Sequence, residues 1–354
     1  MNKVCLVALT WFFFANTTLA QIKKVNEVMD SCVRRGFNGA LLIAKNGKTE
    51  YLKYTGIANR HFDIKFSKDS RFHIFSVTKT FTAVLIMQLY EQNKINLDST
   101  IGAYYPEYKG EARNKATIRN LLTYSSGRDL QEMRSFLDVY SNDIWGVDTF
   151  ITKYCSGKLI DKPGTKFNYN NGDFIILGKI IENIYHKPYE EVLREKILTP
   201  LNMHHTDYLH HVDIIKGMAE GYAYNDSSSV KFYTPTNSYI DNLYSAGAMY
   251  STPEDLLIFD QAIFNHTILK KETVNLMLTP YSNLEDTSLG FWVYPKKFGT
   301  VNTTFVERQG GGYGFHSNWV HLVDQGLTVI LLSNTDAVDL NKMRLKIISA
   351  YLGQ

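Results

Sequence analysis

Little in this chain invites chemistry built on cysteine, metal or polyanion binding. Three cysteines occur, Cys5, Cys32 and Cys155, and their spacing resembles no metal-binding framework. Neither sign of charge dominates. The net charge is +3 with no long basic run, which argues against a nucleic-acid partner and against attraction to an anionic membrane. Beyond the first twenty residues no stretch approaches 18 uninterrupted apolar residues, so no membrane span is expected there. Internal repeats, low-complexity tracts and flexible linkers are also missing. What is present is globular composition: 354 residues, 44% hydrophobic and 21% charged, enough for one large domain or two small ones. Tyrosine is abundant at 23 copies, which suits cores and sheet faces as well as an aromatic-lined cleft.

The N-terminus differs from the rest. Lys3 supplies a positive start, Val4 to Phe14 is largely apolar, and Thr18-Leu19-Ala20 offers a small-residue cleavage site. Residues 1–20 therefore read as a secretory signal, and the mature protein is expected to be secreted or periplasmic. Cys32 and Cys155 then remain, and the sequence leaves open whether they pair or stay as buried thiols.

Strand-like segments gather at the two ends. Ala40 to Ala44 reads as a buried strand, Lys45-Asn46-Gly47-Lys48 as a hairpin turn and Glu50 to Gly56 as its partner. Leu289 to Tyr294, Thr303 to Glu307, and the hairpin of Ser317–Val323 with Leu327–Asn334 supply the rest. Between them lie helical patterns at Ser76–Asn93, Thr117–Tyr124, Trp145–Cys155, Asp173–Ile184, Tyr189–Leu198 and Pro253–Phe264. Further helices are expected at Ile22–Arg35 and Asp339–Tyr351. The expectation is an α+β fold. One antiparallel sheet, from about 21–75 and 285–354, is flanked by helices and carries a helical insertion over about 76–284.

The helix at 76–93 begins Ser76-Val77-Thr78-Lys79. Ser76 sits at the helix start, where backbone N–H groups lack intrahelical partners, and Lys79 returns to the same side one turn later. A hydroxyl, a neighbouring amine and a free N–H are the parts of an activated serine nucleophile. Roughly one Ser-x-x-Lys arises by chance in a chain this long, and an N-capping serine beside an exposed lysine is the plain alternative. Other segments must supply the remaining parts.

They do so in a recognisable order. Ser76-Val77-Thr78-Lys79, Tyr169-Asn170-Asn171 and Arg308-Gln309-Gly310 resemble the three motifs of serine β-lactamases and penicillin-binding proteins. The Tyr-x-Asn form is similar to that of class C β-lactamases, related DD-peptidases and esterases of that fold. The surrounding text agrees over nearly all of residues 22–354, including Pro163 to Gly172, Thr199 to Met203 and Ser245 to Leu256.

The resemblance implies a β-lactamase/transpeptidase-like fold, a metal-free and cofactor-free hydrolase, and named roles. Ser76 would be acylated, Lys79 would ease its deprotonation, and Tyr169 would act as general base. Asn171 would hold Lys79 or the substrate amide. Arg308, Gln309 and Gly310 would bind substrate, and the N–H groups of Ser76 and Gly311 would form the oxyanion hole. An ordinary tyrosine titrates near pH ~10, so Lys79 and Arg308 would have to favour its ionised form.

The third motif departs from the family pattern of Lys or His, a small residue and Gly. Arginine keeps the charge and can grip a carboxylate, but it is bulkier, and Gln309 replaces a small hydroxyl residue. That counts against efficient β-lactam hydrolysis and leaves acyl transfer intact. The expected substrate is a small molecule, peptide or ester, with peptidoglycan fragments among the candidates. Loops at about 125–150 and 205–240 would set acyl specificity. The alternative is a catalytically silent penicillin-binding-like protein that holds cell-wall fragments.

Remaining features have plainer explanations. The glycine run at 310–314 lacks the Lys-Ser/Thr of a phosphate loop and is expected to precede a strand. The pairs His204-His205 and His210-His211 read as surface histidines rather than zinc ligands. Ser125-Ser126-Gly127 reads as a helix stop.

Overall fold

The apolar runs at the two ends are continuous rather than alternating, and the computed structural model gives the reason. It describes residues 20–130, 143–235 and 239–354; the expected signal segment falls outside that range except for Ala20. Strand β1 (Gly39–Lys45) and strand β2 (Lys48–Thr55) join four C-terminal strands, β3 (Trp292–Phe298), β4 (Val301–Gly312), β5 (Phe315–Leu322) and β6 (Leu327–Ser333). Their order in the sheet is β3-β4-β5-β6-β1-β2, antiparallel throughout. The two ends of the chain meet where β1 pairs with β6, Gly39 opposite Ser333 and Leu42 opposite Ile330.

Both faces of the inner strands β1 and β6 are covered, whereas the edge strands β2 and β3 expose several positions. Leu41, Ile43, Val329 and Leu331 face one core with Val25, Met29, Ile347 and Ile348 from α1 (residues 20–34) and α5 (Leu340–Tyr351). Ala40, Leu42, Ile330 and Leu332 face a second core beneath the helical part. With no wet face on these strands, successive positions must all be apolar, and the period-2 signal vanishes. Cys32 lies in the first core and Cys155 in the second. Both are buried, and they do not pair.

Three helices place the site. Helix α2 (Thr78–Glu91) is preceded by a 3-10 turn, Phe75–Val77, and is buried almost all round. Helix α3 (Gly172–Tyr185) stops at His186, which takes a left-handed conformation before Pro188. Helix α4 (Pro253–Phe264) is capped by the Thr252 hydroxyl, which accepts from the Asp255 N–H, and carries proline at its first turn. The Asp339 carboxylate caps α5 in the same way.

Three expectations need correction. The strand expected at Leu289 starts at Trp292, because Gly290 turns against α2: a Cβ there would sit 2.6 Å from that of Ala83. The strand expected to end at Glu307 runs on to Gly312, so the glycine run closes β4 and, as expected, directly precedes the next strand, β5. Short strands also occur inside the helical part, with Met249–Ser251 between Phe72–His73 and Asp207–Tyr208. Segments of two or three residues carry too little periodicity to be read from sequence.

Candidate active site

The turn that carries Ser76 is forced into shape. Phe75 has φ 46°, a conformation that costs a bulky residue energy and persists only where surroundings impose it. Its neighbours do so. The Phe75 ring packs near Tyr313 and Phe315, with centroids at 5.8 and 6.4 Å. The carbonyl of Ile74 accepts from the Ser317 hydroxyl at 2.8 Å. Strand β4 then passes so closely that a Cβ on Gly310 would lie 2.1 Å from the Ile74 oxygen and 2.9 Å from the Ser76 nitrogen. A Cβ on Gly312 would lie 2.7 Å from the Phe75 ring. Glycine in the third motif is thus dictated by contact with the first.

The first two motifs meet in hydrogen bonds. Ser76 Oγ lies 2.6 Å from Tyr169 Oη. Lys79 Nζ donates to Ser76 Oγ at 3.0 Å, to Asn171 Oδ1 at 2.8 Å and to the Ala246 carbonyl at 2.8 Å. An ammonium has three protons, and all three are engaged. Ala246 belongs to the Ser245–Leu256 stretch that agreed with the family text but carried no expected role.

Arg308 is placed differently from a substrate-gripping residue. It is wholly buried, with Nε donating to the Ser76 carbonyl at 2.8 Å and one terminal nitrogen 3.4 Å from Tyr169 Oη. Its other terminal nitrogen, Nη1, is buried and has no hydrogen-bond partner among the described residues. The guanidinium lies over the rings of Trp292, Tyr124 and Tyr169, at 5.0, 5.7 and 5.8 Å. Gln309 donates to Glu307 at 2.8 Å.

Two cations therefore flank one phenol, and among the described residues neither forms an ion pair with a carboxylate. Burial by itself would push the Tyr169 phenol up. Lys79, Arg308 and the hydrogen bonds from Ser76 and Lys79 outweigh it and bring Tyr169 from 10 down to about 8. Burial likewise lowers Lys79 from 10.5 to about 8, against the pull of Tyr169. Tyr124, with its ring 4.8 Å from that of Tyr169, is pushed well above the ordinary range because burial dominates. Of two neighbouring tyrosines, only Tyr169 is made acidic.

A cavity of about 510 Å³ opens over Ser76 and Tyr169. Gly310 and Gly311 form one side, and Phe167 and Trp292 line it with aromatic rings. Glu285, Glu307 and His316 also reach it, and sequence reasoning identified none of these five side chains. A larger cleft of about 700 Å³ lies between α1 and α5, and no motif residue lines it. The histidine pair His210-His211 is held by one carboxylate, each Nδ1 at 2.9 Å from Asp241. Among the described residues no group of three His, Cys, Asp or Glu side chains could hold a metal ion, and no helix is long and apolar enough to cross a membrane.

The Beta-lactamase family profile matches residues 23–352. The chain is 28% identical over 320 residues to teichoic acid D-alanine hydrolase of Staphylococcus aureus, covering 90% of this chain and 75% of that protein. The crystal structure of FmtA from Staphylococcus aureus superposes with a TM-score of 0.78 at 26% identity, over 94% of this chain and 86% of that one. D-amino acid amidase from Ochrobactrum anthropi SV3, complexed with L-phenylalanine amide, shares the fold with a TM-score of 0.81 at 22% identity, over 94% and 99%. The chain therefore belongs to the Beta-lactamase family and is a hydrolase of the serine β-lactamase and penicillin-binding-protein type of fold.

Proposed function

We propose that this protein is an exported serine hydrolase that cleaves D-aminoacyl esters or amides through an acyl-enzyme on Ser76. The observation that carries the reading is the 2.6 Å contact between Ser76 Oγ and a phenol held between two cations. Tyr169 as phenolate takes the Ser76 proton while Oγ attacks the substrate carbonyl. The N–H groups of Ser76 and Gly311 would donate to the oxygen that becomes negative, a contribution commonly worth about 3–4 kcal/mol. Collapse expels the alcohol or amine, which recovers the proton from Tyr169. Water, deprotonated by Tyr169, then releases the acid and regenerates Ser76. Lys79 keeps the hydroxyl and the phenolate in register, and Asn171 keeps Lys79 in place. No step calls for a metal.

The D-aminoacyl class is supported by the relatives, one a D-alanine hydrolase and one a D-amino acid amidase. Export rests on the N-terminal signal pattern. The test is ester turnover and intact mass with a D-alanyl ester, a p-nitrophenyl ester and a penicillin. Ser76→Ala is expected to abolish acylation and lower kcat by at least ~10³-fold. Full activity in that variant, or its complete loss with a chelator, would sink the reading. Silence toward every substrate from a folded sample would return the protein to the cell-wall-fragment binder.

A further inference from the structure

The cavity over Ser76 has an uneven supply of charge. The two cations of the site lie behind its wall: Lys79 and Arg308 are both fully buried and bonded to the Ser76 turn, Tyr169, Asn171 and Ala246. Among the described residues that line the cavity, no lysine or arginine is presented to a substrate carboxylate. Burial pushes His316 below its ordinary value, against the pull of Asp336 and Asp339.

Two carboxylates reach the cavity, and they differ. Glu307 is buried and fully engaged. It accepts from Tyr294 Oη at 2.5 Å and from Gln309 at 2.8 Å, and it pairs with Arg344. Glu285 is exposed, and among the described residues its carboxylate has no hydrogen bond or ion pair. Its backbone is held in place at a cost. Glu285 and Asp286 take φ 56° and 54° in succession, two non-glycine residues in the left-handed region. The loop is pinned by Tyr281 N–H to the Thr287 carbonyl at 2.8 Å and by Val293 N–H to the Asp286 carbonyl at 3.0 Å. Strain of this kind gathers where a side chain must be aimed.

We infer that Glu285 anchors an α-ammonium group on the acyl part of the substrate, so that the cavity takes free aminoacyl esters or amides and disfavours N-acylated and carboxylate-bearing ones. The inference rests on the hydrolase reading above and names its substrate chemistry. An α-ammonium sits two bonds from the scissile carbonyl, so it enters the same cavity as Ser76. There it meets the field of two buried cations, and an anion is needed to offset that repulsion. Glu285 is the carboxylate left available for it. The faces of Trp292 and Phe167 add cation–π attraction.

The test uses two esters with one leaving group, D-alanyl and N-acetyl-D-alanyl p-nitrobenzyl ester, on wild type and Glu285→Gln. Loss of a hydrogen bond to a charged group predicts a fall of about tenfold to a hundredfold in kcat/KM on the free amine, carried mainly by KM. Turnover of the N-acetyl ester should stay within about twofold, which also shows that the variant folds. Glu285→Lys should reverse the order of the two esters. Equal losses on both esters, or a preference that Glu285→Gln leaves unchanged, would overturn the anchor while leaving the hydrolase reading standing. Wild type inert toward both esters would overturn both.

Discussion

Two buried ionic clusters lie on either side of the 169–173 segment, and they are built to opposite ends. In one, Lys79 and Arg308 face Tyr169 with no carboxylate among the described residues to balance them, and Arg308 Nη1 has no partner there. In the other, Arg128 faces Asp173, both wholly inaccessible, at 2.9 Å. Asp173 also accepts from Ser126 at 2.8 Å and from Asn170 at 3.0 Å. Asn170 in turn accepts from Arg128 at 2.9 Å and from the Asp173 N–H at 2.7 Å. The second cluster is closed and charge-balanced. The first is short of one negative charge. A balanced network holds the chain, whereas an unbalanced one makes a neighbour acidic and awaits an anion. Here the balanced pair clamps Asn170, which fixes Tyr169 on one side and Asn171 on the other.

The largest effect should come from breaking the closed cluster. Asp173→Asn or Arg128→Met leaves an uncompensated charge or unfilled donors in the core, a loss of about 3–5 kcal/mol. Denaturant unfolding reads this directly. Because the clamp positions Tyr169 rather than titrating it, the surviving folded protein should keep the pH dependence of wild type. A stability loss below about 1 kcal/mol would mean that water compensates, and the contrast between the clusters would fail.

Arg308→Met should do the reverse. Removing a buried cation that lacks a balancing anion costs little stability, within about 1 kcal/mol. The effect falls on chemistry. Without Arg308 the Tyr169 phenol rises above about 8, so less of it is ionised at neutral pH. The rising acid limb of kcat/KM moves to higher pH, and a displacement of about one pH unit lowers the rate at pH 7 roughly tenfold. The limb belongs to the coupled Lys79–Tyr169 pair rather than to either group alone. An unmoved limb would show that Arg308 shapes the turn and does not tune the base.

These clusters also mark what could be read from sequence. The three motifs announced Ser76, Lys79, Tyr169 and Asn171, because their types and order are unusual enough in combination. The Asn46-Gly47 turn was legible since both residues must take positive φ, and they do, at 48° and 76°. Sequence did not disclose which way Arg308 points, because where a strand is covered on both faces either direction is interior. Nor did it disclose the Arg128–Asp173 pair, whose members stand 45 positions apart in an isolated bridge and a helix start. Ser126, set aside as part of a helix stop, proves to be a donor in that pair's network. Glu285 escaped notice because a turn residue carries no period. In each case the missing information is a contact between segments, which local pattern does not encode.

The smallest expected effect tests how the closed cluster is supported. Arg128 also donates to the carbonyl of Cys155 at 3.3 Å, and Tyr108 Oη donates to the same oxygen at 2.6 Å. The cluster thus uses the backbone of Cys155, whose side chain is buried in the core. Cys155→Ala should cost about 1 kcal/mol or less, the loss of one buried heavy atom, with no change in the pH profile. Cys32 lies across the sheet in the other core, so reductant should leave the melting temperature unchanged. A loss as large as that of Asp173→Asn would mean that the sulfur itself supports the clamp, and the division between backbone and side-chain support would have to move.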